Sequence, residues 1–160
     1  MFDGSKYHQF KNKPWRGARV KKLLKVIRRS KKDIRKSKKE ISYFFADDVE
    51  KANNHGKYVA LQKLRRYIRD SFGVETMDKQ TFKRKLFSGI KISILLEYLD
   101  YQIKITEEEL EEIEELIDIP VLETYFKHFL FAQISVFREF HDIVYEGKIA
   151  ADDDDDEEGI

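Results

Sequence analysis

Ile90-Lys91-Ile92-Ser93-Ile94-Leu95-Leu96-Glu97-Tyr98-Leu99 is the stretch on which the fold class turns. Its first half alternates, with isoleucine at 90, 92 and 94 and polar residues at 91 and 93, the period of a half-buried strand. Its second half does not, because Ile94, Leu95, Tyr98 and Leu99 recur at helical spacing. A strand needs a neighbour to satisfy its backbone, and no other segment of this chain reads as one. The helical reading therefore wins, and the helix is predicted to run from Ile90 to about Lys104.

Working outward, every other patterned segment is also helical. Downstream, Thr106 followed by Glu109 has capping-box spacing and predicts a separate acidic helix to about Asp118. Pro120 suits the first turn of a last helix that reaches Tyr145 and stops at Gly147. That helix carries Tyr125, Phe126, Phe129, Phe131, Phe137, Phe140 and Tyr145 on more than one stripe. Apolar character on several sides predicts the centre of a bundle, or an interface with a protein partner or a second copy. Upstream, Lys79 to Leu86 is a helix capped by Asp78 or Thr76, with Ser88-Gly89 as an interruption. Val59, Leu61, Leu64, Ile68 and Phe72 define a helix over about 57–72 that ends at Gly73. Asn53-Asn54-His55-Gly56 reads as the stop of the helix before it.

That earlier helix, predicted over 18–53, is basic. Val20, Ile27, Ile34 and Ile41 fall seven apart, and Leu23, Ser30, Ser37 and Phe44 three further on. The result is one narrow apolar seam, with Lys and Arg at nearly every other position. Serine at two seam positions makes it a poor free coiled coil, so it is predicted to lie across the body or along a polyanion. Residues 1–17 show no period and read as a flexible basic arm. Residues 147–160 form an acidic tail that includes Asp152 to Glu158. The expected architecture is all-α: a small helical bundle in one domain over 18–146 with its core at 57–146, a long basic N-terminal helix, a disordered arm and an acidic tail.

Charge is sorted along this frame although the 160-residue chain is nearly neutral, at +1. Residues 1–40 carry 16 Lys/Arg against 3 acids, and residues 105–160 carry 3 against 19. Opposed fields on this scale suit a polyanion at one end and a basic partner, or the chain's own basic end, at the other. Phosphate neutralisation needs several cations along one backbone. Lys21, Lys22, Lys25, Arg28, Arg29, Lys31, Lys32, Arg35, Lys36, Lys38 and Lys39 supply them, and Tyr7 and Trp15 are candidates for stacking on bases. Lys79, Lys83, Arg84 and Lys85 form a possible second basic site.

Two stretches echo known DNA-reading units. Ile68 to Val74 followed by Gln80 to Leu86 resembles the turn and recognition helix of bacterial helix-turn-helix regulators, with a longer linker, Glu75 to Lys79, than the usual turn. Glu112 to Pro120 with Thr124 is similar to the corresponding region of sigma-type regulators. It departs from them at Glu114, where a small residue allows helices to cross, and at Asp118, where the turn glycine stands.

Catalytic and metal chemistry find little footing. With no cysteine, thiolate nucleophiles, disulfides and cysteine-held metals are excluded, and a reducing compartment is expected. Glu139, His141 and Asp142 are close in sequence but point to different helix faces. Glycine-rich phosphate loops and Gly-x-Ser-x-Gly elbows are absent. No cofactor and no metal is expected. The start, Met1 to Lys6, has no apolar signal, and Lys91, Ser93 and Glu97 interrupt the most apolar segment. A soluble intracellular protein is expected, in the cytoplasm or within a viral particle or ribonucleoprotein. The expected function is non-enzymatic binding of DNA or RNA through the basic helix. The alternative is a structural or assembly subunit of a large complex, such as a virion or phage particle or a ribonucleoprotein, held by helix-mediated contacts.

Overall fold

The structure, a computed structural model, describes residues 2–10, 19–40 and 47–147. It is all-α. A short 3-10 segment, Ser5–Phe10, precedes α1 (Val20–Lys38), α2 (Asp48–Phe72), a 3-10 turn (Val74–Thr76), α3 (Lys79–Arg84), α4 (Gly89–Leu116) and α5 (Pro120–Glu146). Among the described residues there is no strand, only an isolated bridge between Arg19 and Leu86. Ile90 to Leu99 is helical, and its burial follows the helix. Ile92, Ser93, Leu95, Leu96 and Leu99 face inward while Ile90 is exposed. Ser88 starts α4 as its cap, its Oγ accepting from the Lys91 amide at 3.2 Å. Trp15, Ile41, Phe44 and the acidic tail beyond Gly147 lie outside the described residues.

Three boundary expectations are corrected. The basic helix does not reach residue 53: α1 ends at Lys38, and a new helix starts at Asp48, where Asp47 accepts from the Glu50 amide at 2.9 Å. Asn53 to Gly56 therefore lies inside α2 and is no stop. Gly56 is there for space: a Cβ on it would sit 2.2 Å from the Phe129 carbonyl oxygen and 2.8 Å from the Ala132 Cβ. Thr106 caps nothing. Its buried hydroxyl donates back to the Gln102 carbonyl at 2.6 Å, so α4 continues unbroken to Leu116 instead of splitting in two. Finally, the first part of the arm is packed on the body rather than disordered. Phe2 meets Tyr67, Tyr98 and Tyr101 edge-on, and Phe10 meets Tyr145. Other signals hold. Asp78 caps α3 through the Thr81 amide at 2.8 Å, and Gly147 ends α5 at φ 68°, a conformation that favours glycine.

Helices α2, α4 and α5 form the centre. α2 and α5 run the same way, since His55 meets Tyr125 at 3.2 Å and Lys63 meets Gln133 at 3.3 Å. α4 runs against α2, with Lys91 bonded to the Ser71 carbonyl and the Tyr98 hydroxyl donating to the Lys63 carbonyl. Ile68, Leu96, Leu99, Phe137, Phe140 and Val144 are among the buried residues of the shared core. Val20, Leu23, Leu24 and Ile27 of α1 join the same core, so the narrow seam does dock.

Between α2 and α4 the rings of Tyr67 and Tyr98 stack at 3.7 Å. Burial, and then the neighbouring Tyr67, pushes the Tyr98 phenol up to about 12 from its usual 10. Above pH 10 the unfolded chain gives up this proton while the native protein keeps it, so native stability falls as pH rises. We expect a loss on the order of 2–3 kcal/mol from this group between about pH 10 and pH 12. Urea unfolding across that range checks it. Tyr98→Phe should flatten the decline, and an equally steep decline in the variant would refute the assignment.

Candidate polyanion interface on helix α1

α1 divides into three strips. Val20, Leu23, Leu24, Ile27 and Ile34 face the core. Arg28, Arg29, Lys32, Arg35, Lys36, Lys38 and Lys39 are exposed, and Lys21 is half-buried. The sequence reading treated Lys22, Lys25 and Lys31 as equivalent to these, but the structure buries all three. The reason is geometric. A narrow seam of five residues strung along about four turns leaves its flanking positions against the body, where lysine stems cover apolar surface. These three are therefore removed from the open face.

Lys31 shows what burial does. Its Nζ donates to the Gln62 Oε1 and lies 5.0 Å from the centre of the Tyr58 ring. Desolvation holds this ammonium below the usual lysine range; Arg65 and Arg35 push the same way, and Tyr58 opposes them. Tyr58 is the hub. Arg35 Nη2 donates to its hydroxyl at 2.6 Å, and Lys38 lies 5.7 Å from its ring centre. Chiefly because of the Arg35 hydrogen bond, the Tyr58 phenol is held below its usual value. Tyr58, Gln62 and Arg65 escaped the sequence reading. Their spacing puts them on one face of α2, but only packing shows that this face meets α1.

The α1 surface carries its charge on a helix docked into the core by Val20, Leu23, Leu24, Ile27 and Ile34. Cations in its last turn, Arg35, Lys36 and Lys38, also match the negative end of the helix dipole. At the other end, the Val20 amide donates to the Lys85 carbonyl at 3.0 Å, so α3 abuts the start of α1. Lys79, Lys83, Arg84 and Lys85 are all exposed there. The recess beside α1, about 310 Å³, is lined by Asp33 and Glu139 as well as Lys57, and two carboxylates disfavour an anion in it.

Tyr7 is a correction. It is buried, its hydroxyl donates to Asp100 Oδ2 and lies 2.9 Å from His141 Nε2, so its ring cannot stack on a base here. Glu97 accepts from the Gly4 and Lys6 amides at 2.9 and 2.8 Å, which ties the segment to α4. Trp15, the other stacking candidate, lies outside the described residues.

The helix-turn-helix echoes do not become DNA-reading units. α3 spans six residues, too short for a helix laid in a major groove, and the chain leaves it extended at Lys85. Around 112–120 the chain is acidic, the wrong sign for phosphates. Among the described residues no three His, Asp or Glu side chains gather as a metal would need, and no helix is long and apolar enough to cross a membrane. No protein-family model, curated protein or solved structure matches the chain, so its function has to be read from its own surface.

Proposed function

We propose that the protein is a non-enzymatic nucleic-acid-binding protein that grips phosphates along the outer face of α1 with little preference for sequence. One observation carries the reading: seven exposed cations between Arg28 and Lys39, six on a single docked helix and one at its C-cap. That stretch is about 16 Å long, and one strand of a duplex places about five phosphates along it. Base reading needs polar side chains that reach groove edges. This face offers mainly cations, which position a backbone without specifying sequence. Exposed apolar residues at Leu116, Ile119 and Val121 favour a second reading, an assembly subunit, which is compatible with the first.

Binding to a short duplex and to a single strand should be measured from 50 to 200 mM salt. About five contacts predict that log K falls with log salt at a slope of about −4 to −5. The variant Arg28→Gln/Lys32→Gln/Lys36→Gln/Lys39→Gln should flatten that slope by about 3 to 4. Its stability should stay within about 0.5 kcal/mol per site, because these side chains are exposed. No binding at the low-salt end, or binding indifferent to salt, would sink the proposal.

A further inference from the structure

Of the ten exposed large apolar side chains among the described residues, seven fall into two groups. At the α4–α5 corner, Leu116, Ile119 and Val121 are 73%, 56% and 64% exposed, with Leu122 and Phe126 also exposed beside them. A second group, Leu86 and Ile90, each 51% exposed, sits where α4 begins. α4 is one continuous helix from Gly89 to Leu116, so its two ends are about 40 Å apart. The molecule thus has an apolar surface at each end of its longest helix. Grouped exposed apolar side chains are candidate contact surfaces.

Charge decides what covers them. Between Thr106 and Phe126 the sequence has nine acids and no Lys or Arg. Glu107 is bridged to Arg138 and Glu123 to Lys127; the rest of the run leaves the corner strongly negative. The opposite end is positive, with Lys79, Lys83, Arg84 and Lys85 exposed around Leu86. Asp78, the acid nearest those cations in sequence, already caps α3. Leu86 lines a recess of about 210 Å³ together with Phe72, Ser71, Ser88 and the two cations Lys85 and Lys91.

Two corners brought together would set acid against acid. A corner brought to the α3 end of another copy sets acid against base and its apolar side chains against Leu86 and Ile90. We propose that copies of this chain associate head to tail, the Leu116–Val121 corner of one seated at the Leu86–Ile90 end of the next. Such a contact is heterologous, and it closes into a ring or extends into a filament. It goes beyond the nucleic-acid reading and uses a different surface, since α1's outer cations take no part.

The test uses the full chain, treated with nuclease and freed of nucleic acid, so that bridging by a polyanion cannot imitate the contact. Light scattering from about 1 to 100 μM in low salt should show mass rising with concentration. Leu116→Ser/Val121→Ser disables the corner, and Leu86→Ser/Ile90→Ser disables the other end; both pairs are exposed, and unchanged melting confirms the fold. Each variant alone should be monomeric, its association weakened at least about tenfold. Mixed one to one, they retain a single competent pair of surfaces and should form a dimer and nothing larger. A wild-type chain that stays monomeric throughout overturns the proposal, as it would if the corner served a different basic protein. A variant that still dimerises on its own overturns it in favour of a symmetric contact through the surface it keeps, and two variants that stay monomeric when mixed, while the wild type associates, overturn it as well. Loss of salt-dependent nucleic-acid binding with assembly intact would strike only the α1 reading.

Discussion

Gly56→Ala should destabilise the protein by about 3 kcal/mol or more, although alanine is the better helix former. Helix propensity taken alone predicts the reverse sign, a gain of about 0.8–1.0 kcal/mol for removing a glycine from a helix interior. The packing overrules it. α2 and α5 approach so closely at this point that the new Cβ would meet the Phe129 carbonyl oxygen at 2.2 Å. That oxygen belongs to the backbone of α5 and cannot rotate away, so the helices themselves must part. Separation would loosen the neighbouring contacts of Ala52, Ala60, Ala132 and Leu130, all buried. Urea unfolding followed by circular dichroism gives the answer directly. An alanine variant as stable as the parent would mean that the α2–α5 crossing is looser than described.

Ile27→Asp should cost about 4 kcal/mol and detach α1 from the body. Ile27 has no exposed surface and joins Leu23 and Leu24 in the core shared with α2. Removing a buried isoleucine side chain costs about 2–5 kcal/mol, and the introduced carboxylate must also be desolvated without a designed partner. Around it, α1 has little to fall back on, because so many of its side chains repel one another. The helix should therefore become accessible to protease while α2, α4 and α5 remain folded. Limited proteolysis with mass spectrometry would show cuts confined to 19–40. The measurement separates a docked rod from a free arm: a variant with unchanged protection would show that α1 does not depend on its seam. Nucleic-acid affinity should fall as well, but less than in the four-fold glutamine variant, since the cations remain.

Much of the fold was legible because it depends on local chemistry. The Asp78 cap, the Ser88 break, Pro120 at the start of α5 and the glycines at 73 and 147 act within one turn of themselves, and each works as spacing and residue type indicate. The misread signals are those whose meaning depends on something distant. Gly56 looks like a helix end until Phe129 is placed above it. Thr106 looks like a cap until its burial shows the hydroxyl turned back to Gln102. Tyr7 looks like an arm residue until Asp100 and His141, more than ninety positions away, surround its hydroxyl.

The same division runs through the candidate site. Sequence by itself determined the all-helical class, the charge sorted to opposite ends and the apolar seam of α1, because periodicity and composition are properties of neighbours along the chain. It left the eleven candidate cations from Lys21 to Lys39 alike. Only the tertiary structure decided that Lys22, Lys25 and Lys31 lie against the body while seven others face outward, and that Tyr58 gathers Lys31, Arg35 and Lys38. Tertiary structure also set the two exposed apolar groups at opposite ends of α4. The physical reason is that burial is a property of contacts between elements, and no periodicity within one helix states which other helix will cover it.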